Sequence, residues 1–331
     1  MIITRTPYRL SLFGGGTDYP AWFSANPSRL IGAAMARYCY ISIRHLPPFF
    51  EHRSRVVYSQ IEDVFANTEI KHPGVAASLT FLEISGGLEI HHDGDLPARS
   101  GIGSSSTFTV GLLLGLYALQ QKAVTPARLA RDAIFIEQNM LNESVGIQDQ
   151  IVSAFGGLRI INMGPESEWT ANPFILPRQY RSELESHILL GYSGVSRNAS
   201  DHASEKISNI KSRKTEAELI EIQQITEAAI ELFQDQADIE KIGFLLKRSW
   251  DAKTRLSSVL ADSKFKDIVD IGLRNGAWGG KLMGAGGGGF FYFIAPPQTH
   301  DKIKVALPQI KVWVPFELDS GGAQIIFSSE H

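Results

Sequence analysis

Residues 95–109, DLPARSGIGSSSTFT, place two glycines around one isoleucine, follow them with three serines and lead into an apolar run. A glycine turn that opens a helix leaves several backbone N–H groups unpaired and adds the positive end of the helix dipole. That combination can cradle a phosphate. Small serines let the phosphate approach, and their hydroxyls can bond its oxygens or join a magnesium shell. The same residues also read as a serine-rich cap with glycines serving a turn, and taken alone they support both readings. Two other nucleotide signatures fail. A P-loop needs Gly-Lys-Ser/Thr, but the only Gly-Lys pair, Gly280-Lys281, is followed by Leu282, and Asn275 stands five residues before Gly280. Gly284, Gly286 and Gly289 have dinucleotide-motif spacing, yet the residues after them read as a strand where that motif needs a helix, and Gln309 stands where it needs an acid. His91, His92, Asp93 and Asp95 superficially suggest metal ligands, but neighbouring strand residues point to opposite faces and no further His or Cys motif supports a site.

The elements that must carry these residues follow from the hydrophobic pattern. Residues 2–13 read as a strand ending at Gly14-Gly15-Gly16, and residues 38–46, apolar and β-branched, as a second. Residues 75–84 read as a helix and 87–92 as a strand. Residues 108–119 are so continuously apolar that a helix there must be buried all round. Pro126 after Thr125 opens a helix running to about Leu141, and residues 157–163 form a strand. A polar stretch, residues 164–186, then separates two parts, so the expected domains are 1–185 and 186–331. In the second part residues 187–192 read as a strand. Leu219, Ile222, Ile225, Ala229 and Leu232 fall at helical steps, residues 239–255 and 264–275 are further helices, and 290–295 and 323–327 are strands. Helices and strands alternate irregularly, which points to α+β rather than a doubly wound sheet.

Composition narrows the class. Of 331 residues, 44% are hydrophobic and 20% charged, which excludes a wholly disordered chain. Thirty-two Lys and Arg against 35 Asp and Glu give a formal charge of -3, which does not suit a nucleic-acid-coating protein. The single cysteine, Cys39, excludes an internal disulfide framework. No apolar run is long enough for a membrane helix, and the opening MIITRTPYRLSL lacks a secretory pattern, so a cytoplasmic protein is expected. Glycine is in excess, 30 residues, and 16 of them fall in six tight clusters, which suggests backbone brought close to a ligand or to another backbone.

Three segments, in order, resemble the GHMP kinase superfamily of galactokinase, homoserine, mevalonate and phosphomevalonate kinases. PARSGIGSSS (97–106) is similar to its P-x-x-x-G-L-G-S-S motif, with Ile102 for the usual leucine; PYRLSLFGGGTDY (7–19) resembles the first motif of galactokinase; KLMGAGGGG (281–289) resembles the third motif. Within the superfamily the pattern is most similar to D-glycero-D-manno-heptose 7-phosphate kinases, through GGGTD at 14–18, GIQDQ at 146–150 and SGVSRNAS at 193–200. Galactokinase has Glu-His where this chain has Gly15-Gly16, which puts galactose in doubt and leaves room for a bulkier sugar.

The resemblance implies a two-domain α+β fold, the N-terminal domain like domain 2 of ribosomal protein S5 with a left-handed β-α-β unit, the C-terminal domain ferredoxin-like, with ATP and substrate between them. It implies Asp149 as the catalytic residue that orients the acceptor hydroxyl and takes its proton, with Arg9 beside it. It implies ATP binding by Pro97, Arg99, Gly101, Ile102, Gly103, Ser104, Ser105 and Ser106, and Mg2+ binding by Ser105 and Glu137. Sugar binding would fall to Gly14, Gly15, Gly16, Thr17, Asp18, Gly286 and Gly287, with Arg197 as receiver of a distal phosphate and Arg99 or Lys253 as alternatives. The activity implied is ATP-dependent phosphorylation of the anomeric hydroxyl of D-glycero-D-manno-heptose 7-phosphate, in the supply of heptose for surface polysaccharide. The rivals are a kinase of another sugar (fucose, galactose or uronate), a non-catalytic sugar- and ATP-binding regulator, and a mevalonate-branch decarboxylase, which the GGGTD motif does not support. A homodimer is compatible; no nucleic acid or membrane partner is implied. Gly101 and Gly103 are expected to face phosphate, residues 284–289 to back that loop, and Gly86-Gly87, Gly156-Gly157 and Gly279-Gly280 to make plain turns.

Overall fold

The computed structural model describes residues 1–195, 207–256, 260, 264–284 and 288–329. Twelve strands form two sheets among these residues. The larger contains β1 (Ile2–Phe13), β2 (Ser28–His45), β3 (Ser54–Val57), β4 (Ile61–Val64), β5 (Leu88–Gly94), β6 (Leu158–Met163), β7 (Trp169–Pro173) and, from the far end of the chain, β12 (Gln324–Ser328). Its path is β12-β1-β2-β5-β3-β4, with β6 pairing the first half of β2 and carrying β7. The smaller sheet contains β8 (Ile188–Tyr192), β9 (Gly279–Leu282), β10 (Phe290–Ile294) and β11 (Val312–Val314) in the order β11-β8-β10-β9, all antiparallel. In chain order within that sheet this is 4-1-3-2, the split βαβ arrangement of a ferredoxin-like unit. The architecture is the two-domain α+β fold expected.

Strand β1 is buried along nearly its whole length because it runs centrally between β2 and β12, with the helix Ser104–Leu119 packed against it. That helix buries Phe108, Val110, Leu112, Leu113 and Leu116, as an all-round apolar run requires. A second helix, Glu216–Gln234, lays its stripe of Leu219, Ile222, Ile225 and Ala229 into the same core, and its Phe233 meets Phe13 edge to face at 6.5 Å. One apolar core therefore runs from the larger sheet into the smaller.

The structure differs from the sequence reading in several places, four of which bear on the site and the domain division. The chain returns to its beginning: β12 pairs antiparallel with β1, so the last strand joins the larger sheet although it lies far beyond residue 185. The polar stretch 164–186 holds β7 and the helix Arg178–His187, whose few buried side chains, Tyr180 and Leu184, give little apolar periodicity to read. Gly279 and Gly280 are not a turn but the start of β9. A Cβ on Gly279 would lie 2.0 Å from the Gly243 carbonyl oxygen and one on Gly280 2.4 Å from the Phe293 ring, so close packing selects glycine at both. The helix begun at Pro126 is α-helical only to Phe135 and closes with a wide π turn over Ile136–Met140. Such turns displace one side chain from its regular face; here the turn contains Glu137, which is 1% exposed.

Candidate active site

A cleft of about 1050 Å³ lies between the two sheets. One wall is the glycine-serine turn. Gly103, at φ 74°, caps the helix Ser104–Leu119 with no side-chain cap and no acidic residue in the first turn, so its leading N–H groups open on the cleft. Arg99 N–H donates to the Ser104 hydroxyl at 3.0 Å and Ser100 Oγ to the Pro97 carbonyl at 2.6 Å, which closes the turn internally. The smaller sheet supports it from behind. Phe290 N–H donates to the Ser100 carbonyl at 3.0 Å, and a Cβ on Gly284 or Gly289 would meet Gly101 Cα at 2.6 Å or Ser100 O at 2.1 Å. Arg99, Gly101, Gly103, Ser104, Ser105 and Ser106 line the cleft. Pro97 lies on the outside and Ile102 is buried in the core, where its carbonyl accepts from the Arg9 N–H at 3.2 Å; neither lines the cleft.

Against this turn, Arg9 on β1 grips Asp149 in the first turn of the helix Gln148–Phe155. Nε donates to Oδ1 at 2.5 Å and NH2 to Oδ2 at 2.8 Å, while NH1 donates to the Gly101 carbonyl at 2.7 Å. The two-pronged pairing fixes both side chains in one geometry. The Arg9 side chain is 7% exposed and that of Asp149 24%, so the carboxylate is the member open to a ligand.

Asp18 follows the glycine loop at the end of β1. Its Oδ1 accepts from Gly16 N–H at 3.0 Å, and burial, then the Asp149 charge, push its carboxyl above the usual range. Gly15, Gly16 and Asp18 line the cleft. Gly14 and Thr17 do not. The Thr17 hydroxyl donates back to the Gly14 carbonyl at 2.8 Å, and a Cβ on Gly14 would collide with Leu30 at 2.6 Å. These two residues shape the loop that presents the other three.

Glu137 faces the cleft from the π turn. Its Oε2 accepts from Ser106 Oγ at 2.8 Å and from Gln150 Nε2 at 2.5 Å, while Oε1 has no hydrogen-bond partner among the described residues. Burial chiefly pushes this carboxyl up to about 7. A buried carboxylate oxygen left without a donor, beside hydroxyls and a phosphate-type turn, fits a hard divalent cation. The hydroxyl joined to Glu137 is that of Ser106; Ser105, the expected metal ligand, is exposed on the same wall. Among the described residues no cluster of three or more His, Cys, Asp or Glu could hold a metal, and His92 instead packs edge to face on Phe108 at 5.1 Å.

Lys253, named above as an alternative phosphate receiver, donates to the Leu282 and Gly284 carbonyls at 2.7 and 2.8 Å and so braces the wall behind the turn. Arg197, Gly286 and Gly287 lie outside the described residues. Sequence reasoning passed over Gln150, which holds Glu137; Gly146, where a Cβ would lie 1.9 Å from Asp18 Oδ2; and Lys281, buried at the cleft on β9. Gly146, Gln150 and Lys281 all sit within the quoted motifs, so the signal was present but carried no role.

A phosphate-type turn, a two-pronged Arg-Asp pair and a buried carboxylate, gathered between an S5-like and a ferredoxin-like unit, define a small-molecule kinase of two-domain architecture. Residues 70–157 match the model of the GHMP kinases N terminal domain and residues 228–311 that of the GHMP kinases C terminal domain, together more than half of the chain. The chain belongs to the GHMP kinase family. It is 26% identical over 320 residues to the D-glycero-alpha-D-manno-heptose 7-phosphate kinase of Campylobacter jejuni, covering 92% of each chain. Its fold is shared with a D-glycero-D-manno-heptose 1-phosphate kinase from Bacteroides thetaiotaomicron (TM-score 0.81, 20% identity, 100% of each chain). It is shared too with Lactococcus lactis galactokinase complexed with galactose (TM-score 0.72, 16% identity, 98% of this chain and 94% of that one). Among the described residues no helix is long and apolar enough to cross a membrane.

Proposed function

We propose that this kinase transfers the terminal phosphoryl group of ATP to the anomeric hydroxyl of D-glycero-D-manno-heptose 7-phosphate, giving the 1,7-bisphosphate. The observation that carries the reading is the Arg9-Asp149 pair, held against the Gly101 carbonyl of the phosphate-type turn with its carboxylate open to the cleft. The Campylobacter relative, similar along nearly the whole chain, favours a heptose phosphate over other sugars. Loss of side chains at Gly15 and Gly16 supports a bulky acceptor.

Phosphoryl transfer asks the protein mainly for positioning and charge neutralisation. ATP phosphates would lie on the N–H groups at the start of the helix Ser104–Leu119. Asp18 would hold sugar hydroxyls and set the ring against Asp149. Asp149 would accept the hydrogen bond of the anomeric hydroxyl and take its proton as the oxygen attacks; that hydroxyl is more acidic than an ordinary alcohol, which eases the step. Arg9, fixed on both oxygens of Asp149, would neutralise charge gathering at the attacking oxygen. Glu137 and Ser106 would hold Mg2+, which would neutralise phosphate charge.

A screen of ATP consumption over free and phosphorylated sugars tests the reading. Turnover of heptose 7-phosphate well above free heptose is expected. Equal turnover of both would remove the distal phosphate from the substrate, and preference for a fucose, galactose or uronate would replace the heptose altogether.

A further inference from the structure

Lys281 lies on β9 with 3% of its surface exposed, yet it borders the cleft that Ser11, Gly15 and Gly16 also line. Its Nζ donates to the Leu12 carbonyl at 2.8 Å, an oxygen that the Tyr292 hydroxyl also bonds at 3.2 Å, and it stands 5.7 Å from the centre of the Tyr292 ring. An ammonium has three donors, so two remain after Leu12. No carboxylate pairs with it among the described residues. The charge felt most strongly beside it is another cation, Arg9, whose own partner Asp149 is already gripped at both oxygens. A buried charge beside a like charge, without a counter-ion, is costly. An apolar side chain would fill this position on β9 without that cost.

We propose that Lys281 is an anion receiver of the cleft, and that a phosphate group of a bound ligand is the counter-ion this buried ammonium lacks. The inference rests on the reading that phosphate-bearing ligands occupy the cleft, and it names the side chain of the smaller sheet that receives one. The phosphate has two possible sources, the nucleotide and the sugar phosphate.

A proton signature follows. Burial first, and the Arg9 charge second, push Lys281 down to about 7. Among the charged and titratable groups lining the cleft with it are Arg9 on β1, Lys253 on the helix Ile239–Arg255, Asp18 after the glycine loop and Asp149 on the helix Gln148–Phe155, and the ring of Tyr292 on β10 faces it. Of these, the Arg9 charge is the one that disfavours the ammonium. Above neutrality the empty site holds mostly the free amine, and an arriving phosphate draws one proton from solvent onto Nζ.

Calorimetry of the full chain at pH 8, in two buffers of different ionisation enthalpy, reads that proton. A non-hydrolysable ATP analogue with Mg2+ and D-glycero-D-manno-heptose 7-phosphate are titrated separately into wild type, K281M and K281R. Wild type should take up a substantial fraction of a proton more than either variant for one of the two ligands, which identifies the source. K281R, permanently charged, should keep binding without the uptake, and it serves also if K281M fails to fold. Equal proton counts in wild type and K281R for every ligand that binds would overturn the proposal. Failure of heptose 7-phosphate to bind, with uptake intact for the ATP analogue, would sink the sugar reading and leave Lys281 in place.

Discussion

The position a Cβ would take on Gly103 is 2.9 Å from Asp149 Oδ2 and 3.2 Å from Arg9 Cγ. The phosphate-type turn and the proposed catalytic pair are therefore in direct contact, and Gly103 at φ 74° is the residue that permits it. Gly103→Ala must strain a left-handed backbone, at about 1 kcal/mol, and push on the Asp149 carboxylate as well. A fall in kcat of roughly 100-fold is expected, because displacement of a catalytic group by a fraction of an ångström is amplified in the rate. Steady-state kinetics beside a melting curve separate the two effects: a stability loss with unchanged kcat would detach Gly103 from the chemistry.

Asp149→Asn keeps the shape of the side chain but removes its charge and its capacity to take a proton. Turnover should fall by roughly 10³-fold or more, while nucleotide binding on the turn, which uses other groups, stays within a few-fold of wild type. Arg9→Lys should not rescue the pair, because an ammonium cannot bridge both carboxylate oxygens and the Gly101 carbonyl together. Parallel measurement of turnover and of ADP binding checks both; an active Asp149→Asn enzyme would end the mechanism.

Two neighbouring serines are the candidates for the proposed Mg2+ site. Ser106 Oγ donates to Glu137 at 2.8 Å, and Ser105 points to the open wall. Ser106→Ala strips a donor from a buried carboxylate and should raise the Mg2+ concentration for half-maximal activity about tenfold. Ser105→Ala should change it less than threefold. Titration of Mg2+ at saturating ATP decides between them, and the reverse ranking would restore Ser105 as the ligand.

Much of this is legible in the sequence alone. The turn at 97–106, the buried helix behind it and the strand leading to Gly14 are local patterns, and each produced its element. Asp149 and Arg9 were named from motifs, although nothing local says that residues 140 positions apart form one pair. What sequence hid was of two kinds. Close backbone approach leaves only a glycine, so Gly279 and Gly280 in a strand look like turn residues until the partner is known. Long-range pairing leaves no local mark either. The return of β12 to β1 and the inward turn of Glu137 at the π segment depend on neighbours far along the chain.

Glu137 also predicts a pH dependence. Burial raises its carboxyl from 4.5 to about 7, so between those values the folded chain binds more protons than the unfolded one. Stability contributed by this group is complete below about pH 4.5 and is lost as pH rises toward and through 7. Melting temperature of the metal-free protein should therefore decline from pH 5 to pH 8 more steeply than that of Glu137→Gln, whose amide does not titrate. Added Mg2+ should recover the lost stability most strongly above pH 7, where the carboxylate form dominates. Identical pH profiles for the variant and wild type would place the titration elsewhere.

Asp18, like Asp149, has a glycine backbone packed against its carboxylate. A Cβ on Gly146 would lie 1.9 Å from Asp18 Oδ2, and the Asp18 carbonyl accepts from Ile147 N–H at 3.1 Å, so the residues just before the helix Gln148–Phe155 pack directly on the aspartate proposed to hold the sugar. Gly146→Ala must turn the Asp18 carboxylate away from its seat. Because Asp18 is assigned to the sugar and not to the transferred phosphoryl group, the loss should fall on the acceptor. KM for the sugar is expected to rise about tenfold or more, with a smaller change in kcat and KM for ATP within twofold. Asp18→Asn, which keeps volume and loses charge, should show the same split without the steric push. A rise in KM for ATP instead would move Asp18 out of the sugar site and into the nucleotide half of the cleft.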